Sequence, residues 1–383
     1  MPNQPAVIIY CDHLLPYSAT FVRSQAEALE HFTPYYAGSR FISGLPLPDG
    51  RALVINRGGV QGQISEVAYK LWGIAPSFVQ QLRQLKPVLL HAHFGPDGVR
   101  AMPLSEKLAI PLVVTFHGYD ATIKDEYARR STYSHRVYLQ RKTVLQRKAR
   151  LIVAASEFLK RKLLEQGFPP HKLVVHYIGV DTDQFQPDPT VPRKPVVLFV
   201  GRLVEKKGCE YLIRAMSLVQ QTQTDVELVI IGEGPLRPSL EQQAQATLKR
   251  YRFLGRQSSE SVRDWMNRAQ VFCVPSVIAE SGDAEAFGIV FAEAQAMGLP
   301  VVSFTTGGIP EAVAHGETGL LAAEQDWHGL AEHILQLFNN QVLWQQFSQN
   351  GQKRVRTQFN LHRQTQTLGE LYKSVLHSTR SPA

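Results

Sequence analysis

Short apolar runs alternate with longer stretches of mixed polarity along the first half of the chain: AVIIY (6–10), FVRSQAEALEHF (21–32), PVLLHAHF (87–94), PLVVTFHG (111–118), LIVAAS (151–156) and KLVVHYIGV (172–180). Apolar runs this short, bounded by polar or glycine-containing text, predict strands buried on both faces, and the amphipathic stretches between them predict crossover helices. The alternation is that of βαβ units on a parallel sheet. His13, His93 and His117 stand where such runs end, the edge at which doubly wound sheets build their sites.

Between residues 181 and 194 the text becomes DTDQFQPDPTVPRK, with three prolines and no apolar period, which predicts a linker. A second alternating series follows: PVVLFVGRL (195–203), CEYLIRAMSLVQ (209–220), VELVIIGEG (226–234), YRFLG (251–255), VFCVPS (271–276), FGIVFAEAQAMG (287–298), LPVVSF (299–304) and GLL (319–321). It predicts a second Rossmann-like sheet. The last ~50 residues read as helices separated by polar text.

A length of 383 residues agrees with two domains, and 44% hydrophobic against 19% charged residues supplies two ordinary cores. The first residues lack a leading Lys or Arg and carry only a short apolar run, so no signal peptide is expected in them. No run reaches the ~20 apolar residues of a membrane span. The expected location is cytoplasmic. Cys11, Cys209 and Cys273, widely spaced in apolar text, are expected as reduced core thiols.

The net charge of +8 is not spread evenly: residues 120–162 hold twelve Lys or Arg against four Asp or Glu, an excess equal to that of the whole chain. Two readings stay open. The stretch is either a set of solvated helix faces or a peripheral contact with anionic membrane, where each basic residue contributes ~1 kcal/mol. A nucleic-acid partner is not expected.

Three strings carry candidate chemistry. GRLVEKKG (201–208) joins a strand to an amphipathic helix and holds Arg202 and Lys207 beside backbone that suits an anion. EAFGIVFAE (285–293) sets Glu285 and Glu293 eight positions apart, a little over two helical turns; a carboxylate there can accept both hydroxyls of a ribose, or simply favour a helix start. TGGIPE (306–311) holds Gly307 and Gly308, which either bring amides to a phosphate or permit a turn.

GRLVEKKG, IIGEGP, VPS, EAFGIVFAE, AMGLPVVSF and TGGIPEAVAHGETGLL, in this order over residues 196–321, resemble the glycosyltransferase family 4 enzymes. LLPYSATFVRSQAEAL, HAHFGPDG and TFHGYD in the first half resemble the exopolysaccharide and colanic-acid-type members. The resemblance implies an α/β chain of the GT-B fold, two facing Rossmann-like domains with an interdomain cleft. It also implies a retaining transfer from a nucleotide sugar, of UDP or GDP type, to a glycan or lipid-linked acceptor at the inner face of a membrane. The expected division is 1–180 for the acceptor domain, 181–194 for the linker, 195–360 for the donor domain and 361–383 for a C-terminal helix and tail, with a return onto the first domain left open.

Carried over residue by residue, the resemblance places Gly201, Arg202 and Lys207 at the diphosphate, Glu293 at the ribose and Glu285 at the donor sugar. The backbone of Phe287, Gly288 and Ile289 lies against sugar and phosphate, and Leu254 and Gly255 lie by the base. His117, in TFHG, faces the reaction centre, with His93 and Asp97 as further acceptor-side candidates. Many relatives have a Gly-Gly loop after the first strand; here the text is Pro16-Tyr17-Ser18-Ala19-Thr20, and Ser18 or Thr20 is expected to cap the following helix.

No cofactor and no metal are expected. Asp181-Thr182-Asp183 imitates a metal-binding Asp-x-Asp but sits in the interdomain connection, and Ser303 lies inside a strand rather than a nucleophile elbow. Two other functions stay open: a non-hydrolysing nucleotide-sugar epimerase of the same architecture, and a non-catalytic membrane or nucleic-acid binding module.

Overall fold

A computed structural model of the chain describes residues 4–16 and 19–378. It divides into two compact units, one ending at Gly179 and resumed from Leu361, the other Val180–Asn360. No helix among the described residues is long and apolar enough to cross a membrane.

The first unit is built on β1 (Ala6–Tyr10), β2 (His13–Leu14), β3 (Thr33–Phe41), β4 (Ala52–Asn56), β5 (Leu89–His93), β6 (Leu112–Phe116), β7 (Leu151–Ala154) and β8 (Leu173–Val175). They form one parallel sheet in the order β2-β3-β1-β5-β6-β7-β8, with β4 added to β3. Every residue of β1, β5, β6 and β7 is buried, as a sheet covered on both faces requires. Register pairs Tyr10 with Ala92 and His93 with Thr115, so the carboxyl ends of β1, β5 and β6 share one edge. Leu368, Tyr372 and Val375, one face of helix Leu361–Ser378, join the core beneath β1 and β5.

The second unit holds β9 (Val196–Val200), β10 (Glu227–Ile231), β11 (Tyr251–Phe253), β12 (Val271–Cys273), β13 (Val301–Phe304) and β14 (Gly319–Ala322). Their order is β11-β10-β9-β12-β13-β14, all parallel. This is the doubly wound dinucleotide-fold order, and the order in which successive strands are added reverses between β9 and β12, the switch point of the sheet. Ser258, Asp326 and Asn340 accept hydrogen bonds from Ser261, Gly329 and Leu343 amides at 3.2, 2.9 and 3.0 Å, fixing three helix starts. The proline-rich 181–194 text packs on this unit: Arg193 donates to the carbonyls of Met266, Ala269 and Met297 at 2.9, 2.7 and 2.6 Å.

Thr20 does not cap the first helix. It is the first residue of helix Thr20–Glu27, whose cap position is Ala19, so its hydroxyl lies past the position from which a side chain reaches back to the second or third amide. Tyr17 and Ser18 lie outside the described residues. Cys11, Cys209 and Cys273 are buried free thiols, and burial pushes all three up from the ordinary thiol value. Asp181 accepts the amides of Asp183 and Gln184 at 3.0 and 3.1 Å, a turn-forming role. Ser303, within β13, donates to the Val274 carbonyl at 2.7 Å.

Candidate active site

In the second unit, β9 and β12 run side by side with Leu198 opposite Phe272. The loop after β9 ends at Gly208, in left-handed conformation (φ 61°), where a Cβ would lie 1.8 Å from the Pro275 carbonyl oxygen. Only glycine lets the start of helix Cys209–Thr222 press onto the end of β12 this closely. No side chain caps that helix start, leaving its first amides and the positive end of its dipole to the loop.

Two ion pairs stitch the two loops together. Lys206 Nζ lies 3.0 Å from Asp283 Oδ1, and Lys207 Nζ donates to Glu285 Oε2; all four side chains are nearly buried. The Glu280 amide adds a bond of 2.8 Å to Glu205 Oε1. Burial alone would raise the Glu285 carboxyl, but Lys207, Lys206 and Arg202 outweigh it and hold it at about 2. Arg202, on the same loop, is exposed, and its guanidinium takes up no hydrogen bond or ion pair among the described residues.

The segment after Glu285 is held from behind. Gly308 donates its amide to the Glu285 carbonyl at 2.8 Å, and a Cβ on Gly308 would lie 1.7 Å from the Ala286 carbonyl oxygen. Gly307 and Gly308 therefore serve the turn that presses on residues 285–287. Phe287 turns its ring into the core against Phe359, centroids 4.9 Å apart, leaving its backbone beside Gly288 and Ile289 at the start of helix Ile289–Ala296. The carboxylate of Glu293, on the less buried face of that helix, forms no hydrogen bond among the described residues. Desolvation raises its carboxyl to about 7 against the weaker pull of Arg263.

Leu254 and Gly255 follow β11. The Leu254 amide bonds to the Ile230 carbonyl and the Gly255 carbonyl accepts from Gly232, both at 2.9 Å, while the Gly201 amide bonds to Ile231 at 3.0 Å. The carboxyl ends of β11, β10 and β9 thus stay in step, and all the donor-side candidates gather at one sheet edge around its switch point.

In the first unit, His93 Nδ1 and His117 Nε2 are hydrogen-bonded at 3.0 Å, rings nearly parallel at 14°. His91 stacks on His93 at 4.3 Å and is fixed by Thr115 Oγ1 and the Tyr372 hydroxyl, each at 2.6 Å. Burial lowers all three imidazoles, His93 to about 3. Phe21 and Phe94 flank His117 at 4.7 and 4.9 Å, and its Nδ1 is buried without a hydrogen-bond partner. Asp97 begins the helix after β5 and accepts the Asp12 amide at 2.9 Å; burial and Asp12 raise it to about 8. The structure brings His93 and His117 into contact and ties Asp97 to the neighbouring β1 loop instead.

Sequence reading passed over Lys206, Asp283 and Asp120. Asp120 accepts the amides of Gly95, His117 and Gly118 at 2.9, 3.2 and 2.9 Å and so fixes the turn that carries His117. The place of Asp120 three residues after His117 in TFHGYD was the available signal, as was the alternation Asp283-Ala-Glu285.

Residues 180–354 match the family described as glycosyl transferases group 1, and residues 32–184 match glycosyltransferase family 4. Among similar proteins, the amylovoran biosynthesis glycosyltransferase of Erwinia amylovora is 30% identical over 285 residues, 73% of this chain and 68% of that protein. A glycosyltransferase of Escherichia coli assigned to colanic acid biosynthesis is 33% identical over 252 residues, 63% of this chain; the match spans only 59% of that relative's length. Among solved structures, Anabaena HepE in complex with UDP and glucose superimposes with TM-score 0.76 at 21% identity, covering 97% of this chain and all of that one. Sucrose-phosphate synthase from Thermosynechococcus elongatus gives 0.78 at 21%, covering 98% of this chain and 100% of that one. These two share the GT-B fold with this chain.

Proposed function

We propose, from the premise that this chain belongs to glycosyltransferase family 4, that it is a retaining, metal-independent transferase that moves a hexosyl group from a UDP- or GDP-sugar to a glycan or lipid-linked acceptor in exopolysaccharide or cell-surface glycan synthesis. The observation that carries this is the Lys207–Glu285 pair at the β9/β12 switch point, beside the unpaired Arg202. Two cations and a helix start there suit a diphosphate, and a carboxylate a few ångströms on suits a sugar hydroxyl. The Anabaena structures in complex with UDP-glucose and the GDP-mannose-dependent mannosyltransferase of Corynebacterium glutamicum, 30% identical over 237 residues, 58% of this chain and 61% of that protein, support the two donor classes.

In this reading Lys207 exchanges Glu285 for a phosphate oxygen, and with Arg202 stabilises the charge that develops as the sugar C1–O bond breaks. Glu285, released, accepts from the donor sugar. The amides of the segment Phe287–Ile289 face sugar and phosphate, Glu293 accepts the ribose hydroxyls, and Leu254 and Gly255 line the base. The acceptor oxygen bonds to C1 on the face the phosphate leaves, and its proton passes to the departing phosphate oxygen. His117, oriented by His93 and Asp120, acts on the acceptor side with Asp97. The enzyme works in the cytoplasm at the membrane's inner face.

Product analysis tests this reading. Incubation with each donor and a lipid-linked oligosaccharide should give a product heavier by one hexose, with the donor's anomeric configuration by NMR. An inverted anomer would contradict retention, and an altered nucleotide sugar released without acceptor would identify the epimerase.

A further inference from the structure

Helix Gly59–Trp72 is turned inside out. Val60, Ile64, Val67 and Leu71, spaced on one side of the helix, are 71%, 62%, 53% and 48% exposed, and Trp72 and Ile74 continue the patch. Its single acidic residue, Glu66, faces inward, where it accepts from Asn56 at 2.7 Å and pairs with Lys70. A contiguous apolar stripe of this size marks a surface that meets something.

Charge around the stripe says what. From residue 51 to residue 105 the chain has two acidic residues, Glu66 and Asp97, and neither is exposed. Arg57 precedes the helix; beyond its end Lys107 donates to the Gly73 carbonyl at 2.6 Å, and Arg83 donates to the Lys107 carbonyl at 2.8 Å, all three cations exposed. Glu106, adjoining Lys107, pairs with Lys148 at the end of the basic helix Tyr133–Lys148. The apolar stripe and the basic helix therefore end on consecutive residues of helix Gly95–Leu108. A second copy laid on the stripe would set Arg57 against Arg57 or Lys107, and Glu106, the exposed acid next to Lys107, is already paired with Lys148.

We propose that this face docks on an anionic lipid bilayer, with Val60, Ile64, Val67, Leu71 and Trp72 entering the headgroup–acyl boundary and Arg57, Arg83 and Lys107 meeting lipid phosphates. Charge alone pointed to residues 120–162; the apolar anchor lies elsewhere, on residues 59–74, with the basic helix beside it. The inference goes beyond the catalytic reading and does not depend on it.

The test is co-sedimentation of the full chain with phosphatidylcholine vesicles, with or without roughly one-third phosphatidylglycerol. The intact chain binds the anionic vesicles, more weakly as salt rises. Ile64→Gln/Leu71→Gln lowers that affinity at least tenfold, and Arg57→Gln/Lys107→Gln lowers it selectively for anionic vesicles, both with unchanged thermal melting and donor hydrolysis. Undiminished binding in Ile64→Gln/Leu71→Gln, or no binding by the intact chain, would overturn the proposal. So would a lipid-free dimer that the same pair of substitutions dissolves, which would assign the face to a second copy.

Discussion

Lys207 donates to Glu285 while its neighbour Lys206 pairs with Asp283 at 3.0 Å, so consecutive residues of one loop hold alternate acids of another, 77 and 78 positions away in sequence. In the proposed function the two pairs divide the work. Lys207→Ala should lower donor turnover by about 100-fold or more, the usual cost of removing a group aimed at developing charge. Lys206→Ala should instead leave Asp283 poorly compensated and cost about 3 kcal/mol of stability, read by denaturant melts. Equal catalytic loss in both would contradict this division.

In the proposed function, Glu293 makes donor affinity pH-dependent. Its carboxyl titrates near 7 because burial disfavours the charged form, and only the anion accepts two ribose hydroxyls. Donor affinity should rise as pH rises through about 7 and lose that step in Glu293→Gln. The stability effect has the opposite sign. The folded value exceeds the unfolded one, so the native state binds the extra proton, and stability declines as pH climbs from about 4 to 7. Glu293→Gln should therefore raise the melting temperature at pH above 7 and lose that gain in acid.

His117→Ala should lower kcat about 100-fold with little change in donor KM. His93→Phe, which removes the bond at 3.0 Å that orients His117, should lower kcat about tenfold. Both imidazoles are held below the ordinary histidine value by burial, so the pH–rate profile should show no His117 inflection near about 6.5. Acid below that value should destabilise the first unit, because protons bind the unfolded histidines first.

Gly308→Ala places a methyl 1.7 Å from the Ala286 carbonyl oxygen. The turn must retreat from residues 285–287, at a cost of about 2 kcal/mol and with weaker donor binding. Calorimetric melting and donor titration of the same sample check both effects.

Strands β9, β10, β12 and β13 were legible because parallel strands covered on both faces are written as unbroken apolar runs. Strand β3, TPYYAGSRF, was not: Pro34, Gly38 and Ser39 interrupt it, and its last two residues are exposed. The donor-side candidates can each be named from their strings. Their pairing cannot, because only the adjacency of β9 and β12 brings Lys207 to Glu285. The His91–Tyr372 bond spans 281 positions and depends on the last helix returning to the first unit, which no local pattern states. Helix Gly59–Trp72 inverts the usual inference, since its helical period describes an outer face.

The most direct measurement is calorimetric binding and slow hydrolysis of UDP- and GDP-sugars by the full chain in the presence of a chelator, repeated with Arg202→Ala. The account predicts saturable binding and hydrolysis of one donor, untouched by the chelator and lost in the variant. Failure to bind any donor at about 1 mM, the upper end of ordinary substrate affinities, or activity abolished by the chelator, would contradict it.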